Sequence, residues 1–336
     1  MKSQAQPQLD HESRAFKLAM AAEVALLREY GLSAKSIWLK EPSYGLRVRI
    51  TEIGEGRPVF VLPGNTGDMF PFIPLLSQLN GYKCYLLNRP GGGLSDGFDH
   101  QAVDLRDFVI KLMDYVLEAL GFDAGSFIAH SMGCHWLLWY AMARPKVVRR
   151  QVLIGNPGRV MLPKTPTLLR LALLPYVGEL AIGRIIPTSR KNAFRGLKAM
   201  GTRQHELDVL PQAFAECYYQ FQNLPNYKTS TLSLLRAMNR RAENFLSATE
   251  LTAVNADTLM LWGRNDTFAT VEQGRAIAKA LGADFSIIPD AGHMPWLDEP
   301  LQCAQVIEKF IGVSASNSVD VDRIAESAKC NVQKLP

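Results

Sequence analysis

Apolar residues recur along this chain at two spacings, and the switching between them marks out its elements. Over residues 13–30, Phe16, Met20, Val24, Leu27 and Tyr30 fall at three- and four-residue steps, which predicts an amphipathic helix closed by Gly31. Short β-type runs follow at 36–39, 46–53, 58–62, 83–87, 126–129 and 151–154. Several are apolar almost throughout, the pattern of strands covered on both faces. Helical spacing at 103–120 and 132–143 separates the later ones, so strands and helices alternate as in a mostly parallel α/β sheet.

The alternation breaks once. Residues 157–250 contain no strand pattern, only leucine-rich helical stretches interrupted by Pro163, Pro166, Pro175, Pro187, Pro211 and Pro225, which predicts a helical insertion. A strand at 258–262, a helix at 271–281, a strand at 284–288 and a helix at 301–312 then complete the sheet. The expected organisation is a leader and amphipathic helix over 1–35, an α/β core over 36–156 and 251–312, an all-helical cap over 157–250, and a polar tail over 313–336.

Bulk composition narrows the function classes. The 336 residues are 47% hydrophobic with a formal charge of +5, and no Lys/Arg cluster is interleaved with aromatics, which argues against a nucleic-acid partner. Five cysteines (Cys84, Cys134, Cys217, Cys303, Cys330) are scattered without Cys-x-x-Cys spacing; this fits neither a disulfide framework nor a zinc site and predicts reduced thiols in a cytoplasmic protein with no metal or cofactor. The first twelve residues lack the apolar segment of a secretory signal. Residues 168–186 are apolar but carry Arg170, Pro175, Glu179 and Arg184, so no membrane span is expected there.

The candidate chemistry centres on Ser131. In Phe127-Ile128-Ala129-His130-Ser131-Met132-Gly133 an apolar strand turns through a serine into a helix. Small residues two before and two after such a serine let the chain double back; Ala129 and Gly133 meet that need, although glycine is usual at the first position. Taken alone, Ser131 could equally be a helix N-cap. A nucleophilic serine needs an imidazole to take its proton and a carboxylate to orient that imidazole. Trp262-Gly263-Arg264-Asn265-Asp266 places a carboxylate after the penultimate strand, and Asp290-Ala291-Gly292-His293 places an imidazole after the last. Both loops leave the same sheet edge as Ser131, the edge where α/β folds bind ligands.

The order Ser131, Asp266, His293 resembles the α/β-hydrolase superfamily over roughly residues 45–312. The likeness also includes Leu62-Pro63-Gly64-Asn65 after the third strand and Asn88-Arg89-Pro90-Gly91-Gly92-Gly93-Leu94-Ser95 after the fourth. It implies that the backbone N–H groups of Met132 and Asn65 form the oxyanion hole. Pro63-Gly64 stands where relatives often have His-Gly. Asp290 rivals Asp266 for the acid; Asp257, Asp284 and Asp298 are weaker candidates, and Asn156 after the sixth strand cannot supply a charge. His130 and Cys134 read as packing residues. Arg89 reads as a structural residue of its turn, with a substrate-carboxylate role as the alternative.

Serine in the nucleophile position disfavours the dehalogenase and epoxide-hydrolase branches, which need a carboxylate there. The expected activity is hydrolysis of a carboxylic ester of an apolar or amphipathic small molecule through an acyl-enzyme. A carbon–carbon hydrolase or acyl-thioesterase using the same residues, and a non-catalytic binding protein, are the alternatives. Residues 157–250 carry thirteen Lys/Arg against six Asp/Glu. Two readings of that excess stay open: a solvated lid, or a lid whose outer face attracts an anionic carrier or membrane surface.

Overall fold

In the computed structural model, residues 9–161, 173–187 and 189–312 are described. Eight strands form one sheet: β1 (Ala34–Glu41), β2 (Leu46–Ile53), β3 (Arg57–Leu62), β4 (Tyr82–Asn88), β5 (Gly125–His130), β6 (Val148–Ile154), β7 (Asp257–Gly263) and β8 (Asp284–Ile288). Their order is β1-β2-β4-β3-β5-β6-β7-β8. β1 and β2 pair antiparallel, β2 runs antiparallel to β4, and every pairing from β4 to β8 is parallel.

Strand parity divides the core. Val59, Val61, Leu86, Ile128, Ile154 and Leu261 pack on one side of the sheet, under α1 (Arg14–Glu29) and the helix Pro300–Gly312. Phe60, Leu62, Leu87, Phe127, Leu153 and Trp262 pack on the other, under α3 (Leu105–Leu120) and α4 (Met132–Ala143); the short α2 (Ile73–Leu76) lies between β3 and β4. Both faces are thus dry, which explains the near-continuous apolar runs.

The first helix forms where its spacing predicts, N-capped by the Ser13 hydroxyl and ended by Gly31 at φ 65°. Its buried stripe is rotated from the expected one. Phe16, Ala19, Ala22, Glu23, Leu26 and Leu27 are buried, whereas Val24 is 49% exposed. The cause is Glu23, whose carboxylate receives two hydrogen bonds from the buried Arg49 guanidinium on β2, at 2.5 and 3.0 Å. A paired charge is held inside, and the stripe turns to present it.

Between β6 and β7 the described residues are helical apart from one isolated bridge, Val160 to Leu246. This insertion sits on the edge where β3, β4, β7 and β8 end. Phe214, Tyr218 and Phe221 surround Phe70 of the loop after β3. Asn226 donates to the Ser95 carbonyl, and the Ser233 hydroxyl accepts from the His100 amide, both in the loop after β4. Met200 accepts the His293 amide at 2.9 Å. Cys84, Cys134, Cys217 and Cys303 are free and buried; Cys330 and the tail from residue 313 lie outside the described residues. No helix of the described residues is long and apolar enough to cross a membrane.

Candidate active site

The turn from β5 into α4 holds Ser131 at φ 52° and ψ −121°, a conformation that L-residues adopt only when their surroundings impose it. Here the constraint is the packing of α4. The Ser131 amide donates to the Ile154 carbonyl on β6, and the Ser131 carbonyl accepts from the Cys134 amide. A Cβ at Gly133 would stand 2.5 and 2.6 Å from the Leu62 and Pro63 carbonyl oxygens, so only glycine lets the first turn of α4 lie on the end of β3. Ala129, on the strand side, is fully buried in the core beneath α4. The serine side chain caps nothing, and the N-cap reading of Ser131 is therefore set aside.

His293 Nδ1 lies 2.8 Å from Asp266 Oδ2, with both side chains almost fully buried. That bond places a proton on Nδ1 and leaves Nε2 as the basic nitrogen. The Asp266 carboxylate is itself oriented, accepting from the Phe268 amide at 2.8 Å and from the Asn156 amide at 3.3 Å. The other carboxylates lie elsewhere. Asp257, Asp284 and Asp290 are exposed, Asp290 in a turn at φ 53°. Asp298 is buried, but it accepts from the Gly292 and Arg203 amides and so fixes the loop that carries His293.

His130 points into the core beside His293, with ring centroids 4.7 Å apart, and its Nε2 donates to the His293 carbonyl at 3.1 Å. Burial, then the neighbouring His293, holds its pKa well below the usual imidazole range, so it stays neutral. Trp296 packs edge-on against His130 at 4.9 Å and is anchored by its own hydrogen bond to the Pro71 carbonyl. Cys134 is buried, and burial raises its thiol pKa, the opposite of what a nucleophilic thiol needs.

Gly64 brings the loop after β3 against the serine: a Cβ there would meet Ser131 Cβ at 3.4 Å. Among the described residues neither the Asn65 nor the Met132 backbone N–H has an acceptor. Arg89 fastens this loop from behind. Its buried guanidinium donates to the Asn65 carbonyl and lies over the Trp136 ring at 5.2 Å. Burial lowers its pKa to about 9, against which the Asp68 carboxylate works. Ser131 Oγ makes no hydrogen bond to His293 Nε2 or to any other described group. No group of three or more His, Cys, Asp or Glu among the described residues is placed to hold a metal ion.

Two contributors were not identified from the sequence. The Asn156 amide acts on Asp266 through its backbone, which carries no residue-type signal. Phe268, 56% exposed, lies 4.5 Å from the His293 ring and forms part of the rim of the site. Its position two residues after Asp266 is the clue that could have found it.

Known proteins share this frame. A 2-hydroxy-6-oxononadienedioate/2-hydroxy-6-oxononatrienedioate hydrolase of Klebsiella pneumoniae is 24% identical over 280 residues, covering 79% of this chain and 91% of that protein. Carboxylesterase CesB from Bacillus subtilis superposes with a TM-score of 0.69 at 16% identity, covering 90% of this chain and all of the other. A 2-hydroxy-6-oxo-6-phenylhexa-2,4-dienoate hydrolase from Rhodococcus superposes with a TM-score of 0.66 at 15% identity, over 84% of this chain and all of the other. At such identities the solved structures speak for the fold alone. The sequence from residue 57 to 300 matches the family described as alpha/beta hydrolase fold, and with that match, the strand order and the strained serine turn, this chain belongs to the alpha/beta hydrolase family.

Proposed function

We propose that this hydrolase uses Ser131 as nucleophile, His293 as general base and acid, and Asp266 as the carboxylate that orients His293. The observation that carries the reading is the buried 2.8 Å contact between His293 Nδ1 and Asp266 Oδ2 at the sheet edge that also holds the strained Ser131. His293 Nε2 takes the Ser131 hydroxyl proton as Oγ attacks the substrate carbonyl. The Asn65 and Met132 amides, which have no acceptor among the described residues, receive the developing oxyanion. The N-terminus of α4 adds a favourable dipole. His293 then protonates the leaving group, and in the second half-reaction it activates the water that releases the acid from Ser131.

The bond cleaved is proposed to be a carboxylic ester of an apolar or amphipathic small molecule, with residues 157–250 as the cap that covers it. A second reading, hydrolysis of a carbon–carbon bond in a vinylogous diketone, is supported by the names of the curated relatives. A fluorophosphonate probe should label the protein, and Ser131→Ala should remove labelling and lower turnover by a factor on the order of 10⁶. Labelling that survives the substitution would reject Ser131. A panel of p-nitrophenyl esters run beside an acyl-thioester and a ring-cleavage diketone separates the bond types by kcat/KM. A chain that binds these compounds without turnover or adduct would be a binding protein instead.

A further inference from the structure

The insertion presents an apolar ridge to solvent. Leu174, Tyr176, Val177 and Leu180, on the helix Val177–Ile185 and the turn before it, are exposed by 48, 84, 44 and 64%. Arg236 fastens the ridge. Arg236 donates to the Leu173 and Leu174 carbonyls and pairs with Glu179, while Tyr176 is held at φ 65° with its ring outward. Ordered apolar residues that face water at this density mark a contact surface.

The charge beside the ridge says what kind. Val177, Leu180 and Arg184 share one helical stripe at steps of three and four, so a cation closes the apolar row. Arg195 donates to the Arg184 carbonyl at 3.5 Å, and Lys228 Nζ lies 3.5 Å from where a Cβ on Gly183 would stand. Among the described residues Arg184, Lys191, Arg195, Lys198 and Lys228 form no ion pair, whereas the neighbouring Arg190 and Arg236 are matched by Glu216 and Glu179. Apolar side chains backed by unmatched cations, with a tyrosine at the boundary, fit the region between acyl chains and phosphate headgroups.

We infer that this ridge docks the protein onto an anionic lipid surface, with Leu174, Tyr176, Val177 and Leu180 entering the acyl boundary and Arg184, Arg195 and Lys228 lying among the phosphates. The inference is independent of which bond Ser131 cleaves. The full chain should co-sediment with vesicles of equimolar phosphatidylcholine and phosphatidylglycerol, less with pure phosphatidylcholine, and progressively less as salt is raised. Arg184→Gln combined with Arg195→Gln should weaken partitioning on the order of tenfold. Tyr176→Gln with Leu180→Gln should weaken binding to both vesicle types. All four side chains are exposed, so unchanged circular dichroism and unchanged hydrolysis of a soluble short-chain ester show that each variant is folded. Failure to bind either vesicle, binding indifferent to headgroup charge, or a concentration-dependent dimer that the Tyr176 and Leu180 changes abolish would each overturn the inference; the last would make a second copy of the chain the partner.

Discussion

At the scale of single residues, the proposed mechanism gives Asp266 a narrow task. Its carboxylate accepts from three donors, the Phe268 amide on Oδ1 and both His293 and the Asn156 amide on Oδ2, and an amide side chain would keep one accepting oxygen but neither the second nor the charge. Asp266→Asn, nearly the same in size and shape, should still fold at some cost in stability and lose kcat by about 10⁴ with little change in KM, because the imidazolium formed in the transition state loses its counter-charge and His293 loses its tautomer. A loss shared equally between kcat and KM would instead mean that Asp266 only shapes the pocket. The positions of Ser131, Asp266 and His293, the set proposed as catalytic, were legible in the sequence because each follows a strand that ends at one edge of the sheet. The supporting contacts were not. His130 holds His293 through its carbonyl, and Asn156 holds Asp266 through its amide, and backbone partners leave no trace in residue type.

Among elements, all eight strands were legible, the central ones as nearly unbroken apolar runs because both their faces are buried, and β2 by its alternation of apolar and polar residues. The rotation of α1 was not, since Glu23 reads as a solvated position until Arg49 is found opposite it. Nor did the sequence show how the insertion meets the core. Three glycines explain it. A Cβ on Gly201 of the insertion would lie 2.4 Å from the Asn265 carbonyl; one on Gly292 would lie 2.4 Å from Gly201; one on Gly263 would lie 2.0 Å from the Gly292 carbonyl. Backbone thus lies on backbone between the insertion and the loops bearing Asp266 and His293. Gly201 also has φ 91°, which an L side chain rarely adopts. Gly201→Ala should push the insertion off these loops, costing about 1–3 kcal/mol of stability and lowering kcat by disturbing the Met200 carbonyl that receives the His293 amide. Urea unfolding together with steady-state kinetics checks both effects; stability lost with kcat intact would show that the insertion and the His293 loop move independently.

For the whole molecule, the buried titratable groups set how stability depends on pH. Burial holds the pKa of His100 and His130 well below 6.5 and that of His135 at about 3, so all three stay neutral in the folded chain while their unfolded counterparts take up protons as pH falls below 6.5. Each therefore withdraws stability as pH falls from 6.5. Asp68 works the other way. Burial raises its carboxyl to about 7 from an ordinary 3.8, so between those values the folded chain holds a proton that the unfolded chain has released. Its contribution grows more favourable as pH falls, offsetting one of the three histidines. Unfolding near pH 5.5 should then take up about two protons net, and stability should fall by about 2.7 kcal/mol per pH unit there. Above about pH 8 these four groups have the same charge folded and unfolded, and their contribution should level off. Urea midpoints measured from pH 8 to pH 5 test the slope, and Asp68→Asn supplies the sharper test because it deletes only the offsetting proton. That variant should be relatively more stable at pH 8 than at pH 5, with a slope near pH 5.5 steepened to about three protons; a slope unchanged by the substitution would mean that Asp68 is ionised in the folded chain, paired with the Arg89 guanidinium that fastens the Asn65 loop.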